Sequence, residues 1–104
     1  MENKSKAETF IGFAVRAGKM RTGLNTLSTL KRAYLIIVCH TAAEATIESA
    51  VKYAGKYKCA AFKTSVKPLE DYIYKQGVKI AAVTDRGLAK AISENSGTEF
   101  TAIY

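Results

Sequence analysis

The sequence has few of the residues that interrupt, cross-link or anchor a chain. Of its 104 residues, one is proline, two are cysteine and one is histidine, and tryptophan is absent. A single proline and seven glycines argue against long linkers. Two cysteines and one histidine make a poor structural zinc site, since such a site takes four ligands. We therefore expect reduced thiols at Cys39 and Cys59, with no metal and no other cofactor.

Long apolar segments are also missing. No run approaches the roughly 20 residues that cross a bilayer, and the opening residues, MENKSKAE, lack the apolar core of a signal peptide. We therefore expect a cytoplasmic protein that does not bind membranes. The composition, 48% hydrophobic and 24% charged, is typical of a folded chain and not of a disordered one. The length suits one domain spanning residues 1–104, as a monomer or weak dimer.

Acidic residues are absent from two long windows of this chain, which carries a net charge of +7. These are the window between Glu8 and Glu44 and the window between Glu48 and Glu70. Every charged residue in them is a lysine or an arginine. These are Arg16, Lys19, Arg21, Lys31 and Arg32 in the first, and Lys52, Lys56, Lys58, Lys63 and Lys67 in the second. Segregated positive charge is typical of a surface that binds a polyanion. The alternative is that these side chains only solvate exposed faces.

Apolar periodicity predicts helices that alternate with buried strands. Helices are expected over 5–17, from near Gly23, from a Thr41–Glu44 capping box to Gly55, from Pro68 to Gly77, and after Asp85. Strands are expected over 34–38, 59–63 and 78–84 and in the final SGTEFTAIY. Alternation of this kind predicts a three-layer α/β/α sandwich with about four strands.

No constellation of residues predicts an enzyme. A nucleotide-binding phosphate loop needs a hydroxyl residue after Gly-Lys, and Met20 follows Gly18 and Lys19. Cys39 and His40 are neighbours at a strand end, but adjacent strand residues point to opposite faces and are poorly placed to share a proton. The Glu70 and Asp71 pair most simply decorates the start of a helix. We expect a binding protein without catalytic activity.

Most of the chain resembles a known family. FIGFAVRAGKMRTG, a short helix and AYLIIV, together with AAVTDRGLAKAI near the end, are similar to the L-seven-Ae ribosomal proteins, in particular the small bacterial members encoded beside translation genes. The resemblance spans residues 8 to about 92. It implies an α/β/α sandwich that binds kink-turn or ribosomal RNA with the start of the second helix and the loop after the third strand.

The resemblance also implies which residues meet the RNA. The family's second helix begins Gly-x-Asn-Glu with a lysine three residues later, and Gly23 and Asn25 match the first two of these. Thr26 and Thr29 stand where the family has the glutamate and the lysine, which predicts weak kink-turn discrimination because a hydroxyl accepts less strongly than a carboxylate. For Asn25 alone, an ordinary N-cap role is the alternative.

Charge adds sequence-independent contacts to this site. Both acid-free windows are expected to lie beside the RNA surface, one in the second helix and one leading into the loop. The predicted phosphate contacts are Lys19, Arg21, Lys31, Lys63 and Lys67. The competing interpretation is a protein-interaction module of the same fold that has lost kink-turn recognition.

Overall fold

Helices and strands alternate in the computed structural model, which describes residues 5–104. The elements in chain order are α1 (Lys6–Arg16), β1 (Met20–Thr22), α2 (Leu24–Ser28), β2 (Leu35–Val38), α3 (Glu44–Tyr57), β3 (Ala60–Thr64), α4 (Leu69–Ile73), β4 (Ile80–Val83), α5 (Arg86–Glu94) and β5 (Phe100–Ala102).

The strands form one mixed sheet in the order β1-β4-β2-β3-β5. Strands β2 and β3 are parallel, and every other neighbouring pair is antiparallel. The sheet has five strands where the sequence predicts about four. The additional strand, β1, is a three-residue edge strand in the glycine-flanked basic stretch, and Met20 pairs with Val83. It has no run of β-branched residues, so its sequence carries no strand signal.

Apolar side chains cover both faces of the sheet, which confirms the predicted α/β/α class. On one face, Ile11 of α1, Tyr72 of α4 and Ile92 of α5 pack against the sheet. On the other, Leu27 of α2 and Ala50 of α3 do so. All four residues of β2 and all four of β4 are buried, as continuous apolar runs predict.

Helix ends divide into those set by local sequence and those set by packing. Ser5 and Asp85 cap α1 and α5 as predicted, each side chain accepting from a backbone amide three residues on. The predicted Thr41 cap is wrong, because the N-cap of α3 is Ala43 and the Thr41 hydroxyl forms a hydrogen bond with the Cys39 sulfur. The predicted stop at Gly55 is also wrong, because α3 continues to Tyr57.

The two ends of the sheet carry different loops and helix ends. Strands β1, β2 and β3 run in one direction, and β4 and β5 run in the other. We call the end where β1, β2 and β3 finish the carboxyl edge, and the end where they begin the amino edge. The carboxyl edge carries residues 23–26, 39–43, 64–68 and 76–79.

Candidate nucleic-acid interface

The start of α2 lies at the carboxyl edge and is held there by Gly23. The Gly23 amide donates to the Ile80 carbonyl at 3.1 Å, and the Gly23 carbonyl accepts from the Leu27 amide at 3.0 Å. Its φ of 96° is a conformation that other residues adopt only with strain. A Cβ there would meet nothing within 4 Å, so the requirement for glycine is conformational and not one of space.

Asn25 is exposed in the first turn of α2. The N-cap of this helix is Gly23, so the alternative that Asn25 is an ordinary N-cap is excluded. The Asn25 amide group can both donate and accept, which suits a base edge. Its main-chain carbonyl accepts from the Ser28 hydroxyl at 2.7 Å.

The two threonines that depart from the family pattern differ in burial and in position along α2. Thr26 is half-buried within the helix, whereas Thr29 is exposed and is the C-cap. The Thr29 hydroxyl donates to the Thr26 carbonyl at 3.0 Å. With α2 only five residues long, Thr29 is where the chain leaves the helix.

The loop after β3 brings the second predicted segment to the same edge. Lys63 is half-buried near the end of β3, opposite Val38. The Lys67 ammonium lies 2.8 Å from a Glu8 carboxylate oxygen and 4.7 Å from the centre of the Tyr72 ring. Burial alone would lower the pKa of Lys67, but the hydrogen bond and the negative charge of Glu8 outweigh it and raise the pKa. The Lys67 charge is therefore largely compensated within the protein.

Between these two segments lies a polar cluster that the sequence does not predict as part of the site. The Lys79 ammonium donates to the Thr41 hydroxyl at 2.9 Å and lies 3.8 Å from a Glu70 oxygen. Lys79 is there because β4 enters the sheet between β1 and β2. The available sequence signal was a lysine one residue before the apolar run IAAV, at a strand start.

Cys39 and His40 are engaged with different partners, as the strand alternation predicts. The Cys39 sulfur lies 3.0 Å from the Thr41 hydroxyl, while His40 Nδ1 lies 2.9 Å from the Thr64 hydroxyl. Burial alone would raise the pKa of the Cys39 thiol, but hydrogen bonds with Thr41 and the Leu69 amide, with the Lys79 charge, outweigh it and lower the pKa. Cys39 is fully buried, so solvent does not reach this thiol.

The remaining predicted phosphate contacts lie away from the carboxyl edge. Lys19 precedes β1, and its carbonyl accepts from the Thr84 amide at 2.9 Å, beyond the end of β4. Lys31 follows α2 on the way to the start of β2. Arg21 is exposed in the middle of β1, opposite Ala82. The expectation that both basic windows adjoin one surface is therefore wrong, because the fold sends Lys19 and Lys31 to the amino edge.

The described part of the chain offers a groove but no metal-binding cluster. A groove of about 560 Å³ beside α4 is lined by Lys67, Glu70, Asp71, Tyr74, Lys75 and Gln76. Its charges are of both signs, so it does not select one kind of ion. Within residues 5–104, no group of three or more histidine, cysteine or acidic side chains could hold a metal ion. No helix in those residues is long and apolar enough to cross a bilayer.

Comparisons with known proteins bear on the fold alone. No protein-family model matches the chain, and no curated protein matches it. Among solved structures, it is similar to a protein of unknown function from Bacillus halodurans, with 20% sequence identity and a TM-score of 0.73. The match covers 88% of this chain and 96% of that one. Two chains this different in sequence thus share the same α/β architecture.

Proposed function

We propose that this protein binds RNA of the ribosomal or kink-turn type through the carboxyl edge of its sheet. The observation that carries the proposal is that the start of α2 and the loop after β3 lie at the same edge. These are the two segments that the L-seven-Ae resemblance implicates in RNA binding. Strands β4 and β2 separate them, a spacing of about 14 Å at 4.8 Å per strand. One structured RNA element can contact both.

The chemistry of the edge supports contact with both backbone and bases. The backbone amides in the first turn of α2 have no carbonyl acceptor within the helix. Because the N-cap is Gly23, no N-cap side chain covers them. The exposed Asn25 amide offers paired donor and acceptor groups to a base. Lys63 adds positive charge beside these groups, whereas the charge of Lys79 is partly offset by the Glu70 carboxylate 3.8 Å away.

Two features weaken this site relative to the family pattern. Thr26 is neutral where a carboxylate would accept from a guanine amino group. The Lys67 ammonium is paired with Glu8, so a phosphate must compete with that carboxylate. We therefore expect measurable binding that discriminates a kinked RNA poorly from a straight one.

A protein partner at the same edge is the second candidate. Leu24 and Val66 are large apolar side chains that are 39% and 63% exposed, one in each of the two segments. Exposed apolar side chains of this size are also typical of a protein interface. Ionic strength separates the two, because phosphate binding weakens steeply with salt whereas an apolar interface changes little.

The test is a titration of the protein with a kink-turn RNA and with a duplex of the same length that lacks the kink, at several salt concentrations. Asn25→Ala should weaken kink-turn binding and leave duplex binding unchanged. Lys63→Ala should weaken both and reduce the slope of log K against log salt by about one. Lys90→Ala, an exposed lysine on α5, is the matched control and should change neither. If neither RNA binds at low salt, the result would favour the protein-interaction candidate.

A further inference from the structure

The amino edge of the sheet is a continuous row built by four neighbouring strands. The Lys19 carbonyl accepts from the Thr84 amide at 2.9 Å, and the Tyr34 amide donates to the Val83 carbonyl at 2.8 Å. Leu35 pairs with Ala60, so the start of β3 completes the row. The row from β1 to β3 spans about 14 Å at 4.8 Å per strand.

The directions of the helices place cations beside this row. Helices α1 and α3 end at the amino edge, α5 begins there, and α2 returns the chain to it. The cations that these segments bring are Arg16, Lys19, Lys31, Arg32, Lys56, Lys58 and Arg86. All of them are exposed. Asp85 is the acid that adjoins them, and its carboxylate accepts from the Leu88 amide at 2.8 Å as the α5 cap.

These cations differ from those of the carboxyl edge in their partners. At the carboxyl edge, Lys67 and Lys79 lie within 4 Å of carboxylates, and Lys63 is the lysine there without an ion pair among the described residues. None of the amino-edge cations forms an ion pair within residues 5–104. Acids at the starts of α1 and α3, such as Glu8 and Glu44, are carried to the opposite end of the sheet. The uncompensated positive charge of the fold is therefore concentrated at the amino edge.

This surface holds three of the chain's four arginines but only four of its twelve lysines. The chain has four arginines, of which Arg16, Arg32 and Arg86 lie at the amino edge and Arg21 lies exposed on the adjoining β1. The Arg16 and Arg86 guanidinium groups lie over the Phe13 and Tyr34 rings, at 5.1 and 5.4 Å from the ring centres. Cation–π attraction holds a guanidinium over a ring without using its N–H groups as donors, so these groups can contact phosphate.

We propose that the amino edge is a second RNA-binding surface, which takes the phosphate backbone of a double-stranded segment without regard to sequence. The protein would then hold RNA at both ends of its sheet. The inference does not depend on recognition at the carboxyl edge, because the cations that carry it are different ones. A straight duplex tests it through variants of these cations, which leave the carboxyl-edge lysines unchanged.

The experiment measures binding of a straight RNA duplex across a series of salt concentrations. The variant Lys31→Gln with Arg32→Gln removes two exposed charges from the amino edge. Each lost phosphate contact reduces the slope of log K against log salt by about one, so this variant should lose about two. Lys19→Gln with Lys58→Gln, on the same edge, should behave alike.

Lys52→Gln with Lys90→Gln is the control, since it removes the same charge from the exposed faces of α3 and α5. It should keep the wild-type slope. The proposal is overturned if the amino-edge variants keep the wild-type slope, or if the control loses as much as they do. It is also overturned if the protein binds vesicles of phosphatidylserine and phosphatidylcholine but not the duplex, which would indicate a membrane surface instead. A reduced slope in the amino-edge variants would support this surface. Kink-turn binding that Asn25→Ala leaves unchanged would count against the carboxyl-edge site alone.

Discussion

Restoring the two family residues in α2 is the sharpest test of the carboxyl-edge site. Thr26→Glu places a carboxylate at the third residue of the helix, and Thr29→Lys places an ammonium at its C-cap. Each introduced charge lies at the helix end that favours its sign. The pair leaves the net charge unchanged, so binding to a straight duplex should not move.

The magnitudes follow from the geometry of α2. Thr29→Lys removes the hydroxyl bond to the Thr26 carbonyl, which costs about 0.5–1.5 kcal/mol of folding stability. A carboxylate in the first turn returns about 0.3–1 kcal/mol, so the fold should change by less than about 1 kcal/mol. One good base contact is worth about 1–3 kcal/mol. At about 1.4 kcal/mol per tenfold, kink-turn affinity should rise by about 5- to 140-fold.

The assay is a titration of the kink-turn RNA and the straight duplex with wild type, both single variants and the double variant. The two sites are three residues apart on one helix, so their effects are expected to couple and not simply add. A gain on both RNAs would indicate a general effect of charge. No gain on the kink-turn by a folded double variant would refute the assignment of residues 23–29 as the RNA site. A wild type that already selects the kink-turn at nanomolar concentration would refute the argument from the two threonines.

Three further predictions concern the fold that supports both edges. Asp85→Ala removes the α5 cap and should cost about 1 kcal/mol, which thermal unfolding would detect as a fall in Tm of about 4–8 °C. Gly23→Ala should destabilise by about 1–3 kcal/mol in urea unfolding because a φ of 96° with a ψ of 146° is open essentially only to glycine, whereas Gly12→Ala, inside α1, should not. The pKa of Lys67 is raised in the folded protein, so its pairing with Glu8 stabilises the fold. This stabilisation is complete below the unfolded pKa of about 10.4, and it is lost as the pH rises through the folded pKa. The stability gap between wild type and Lys67→Met should therefore be constant near neutral pH and shrink above about pH 10 in urea unfolding, and a gap that grows there would contradict the reasoning.

Local sequence determined most of the elements of this protein. The helix starts at Ser5 and Asp85 are encoded by a side chain and the backbone amides three residues on, so no distant contact is needed. The continuous apolar runs of β2 and β4 are buried on both faces, as a sheet covered by two helical layers requires. Where a distant contact intervenes, local signals fail: Tyr57 donates to the Leu27 and Leu30 carbonyls, and α3 continues past Gly55 to reach them.

Only the tertiary structure decided which charged residues share a surface. Gly23 and Asn25 were predicted as candidate site residues from the sequence because they lie two residues apart in one motif, but Lys79 lies near them only because β4 inserts between β1 and β2. The same topology separates Lys19 and Lys31 from Lys63 and Lys67, although the sequence shows all four in acid-free windows. The number of cations is a property of composition. Their division between two edges depends on strand direction and order, which are set by packing between residues far apart in the chain.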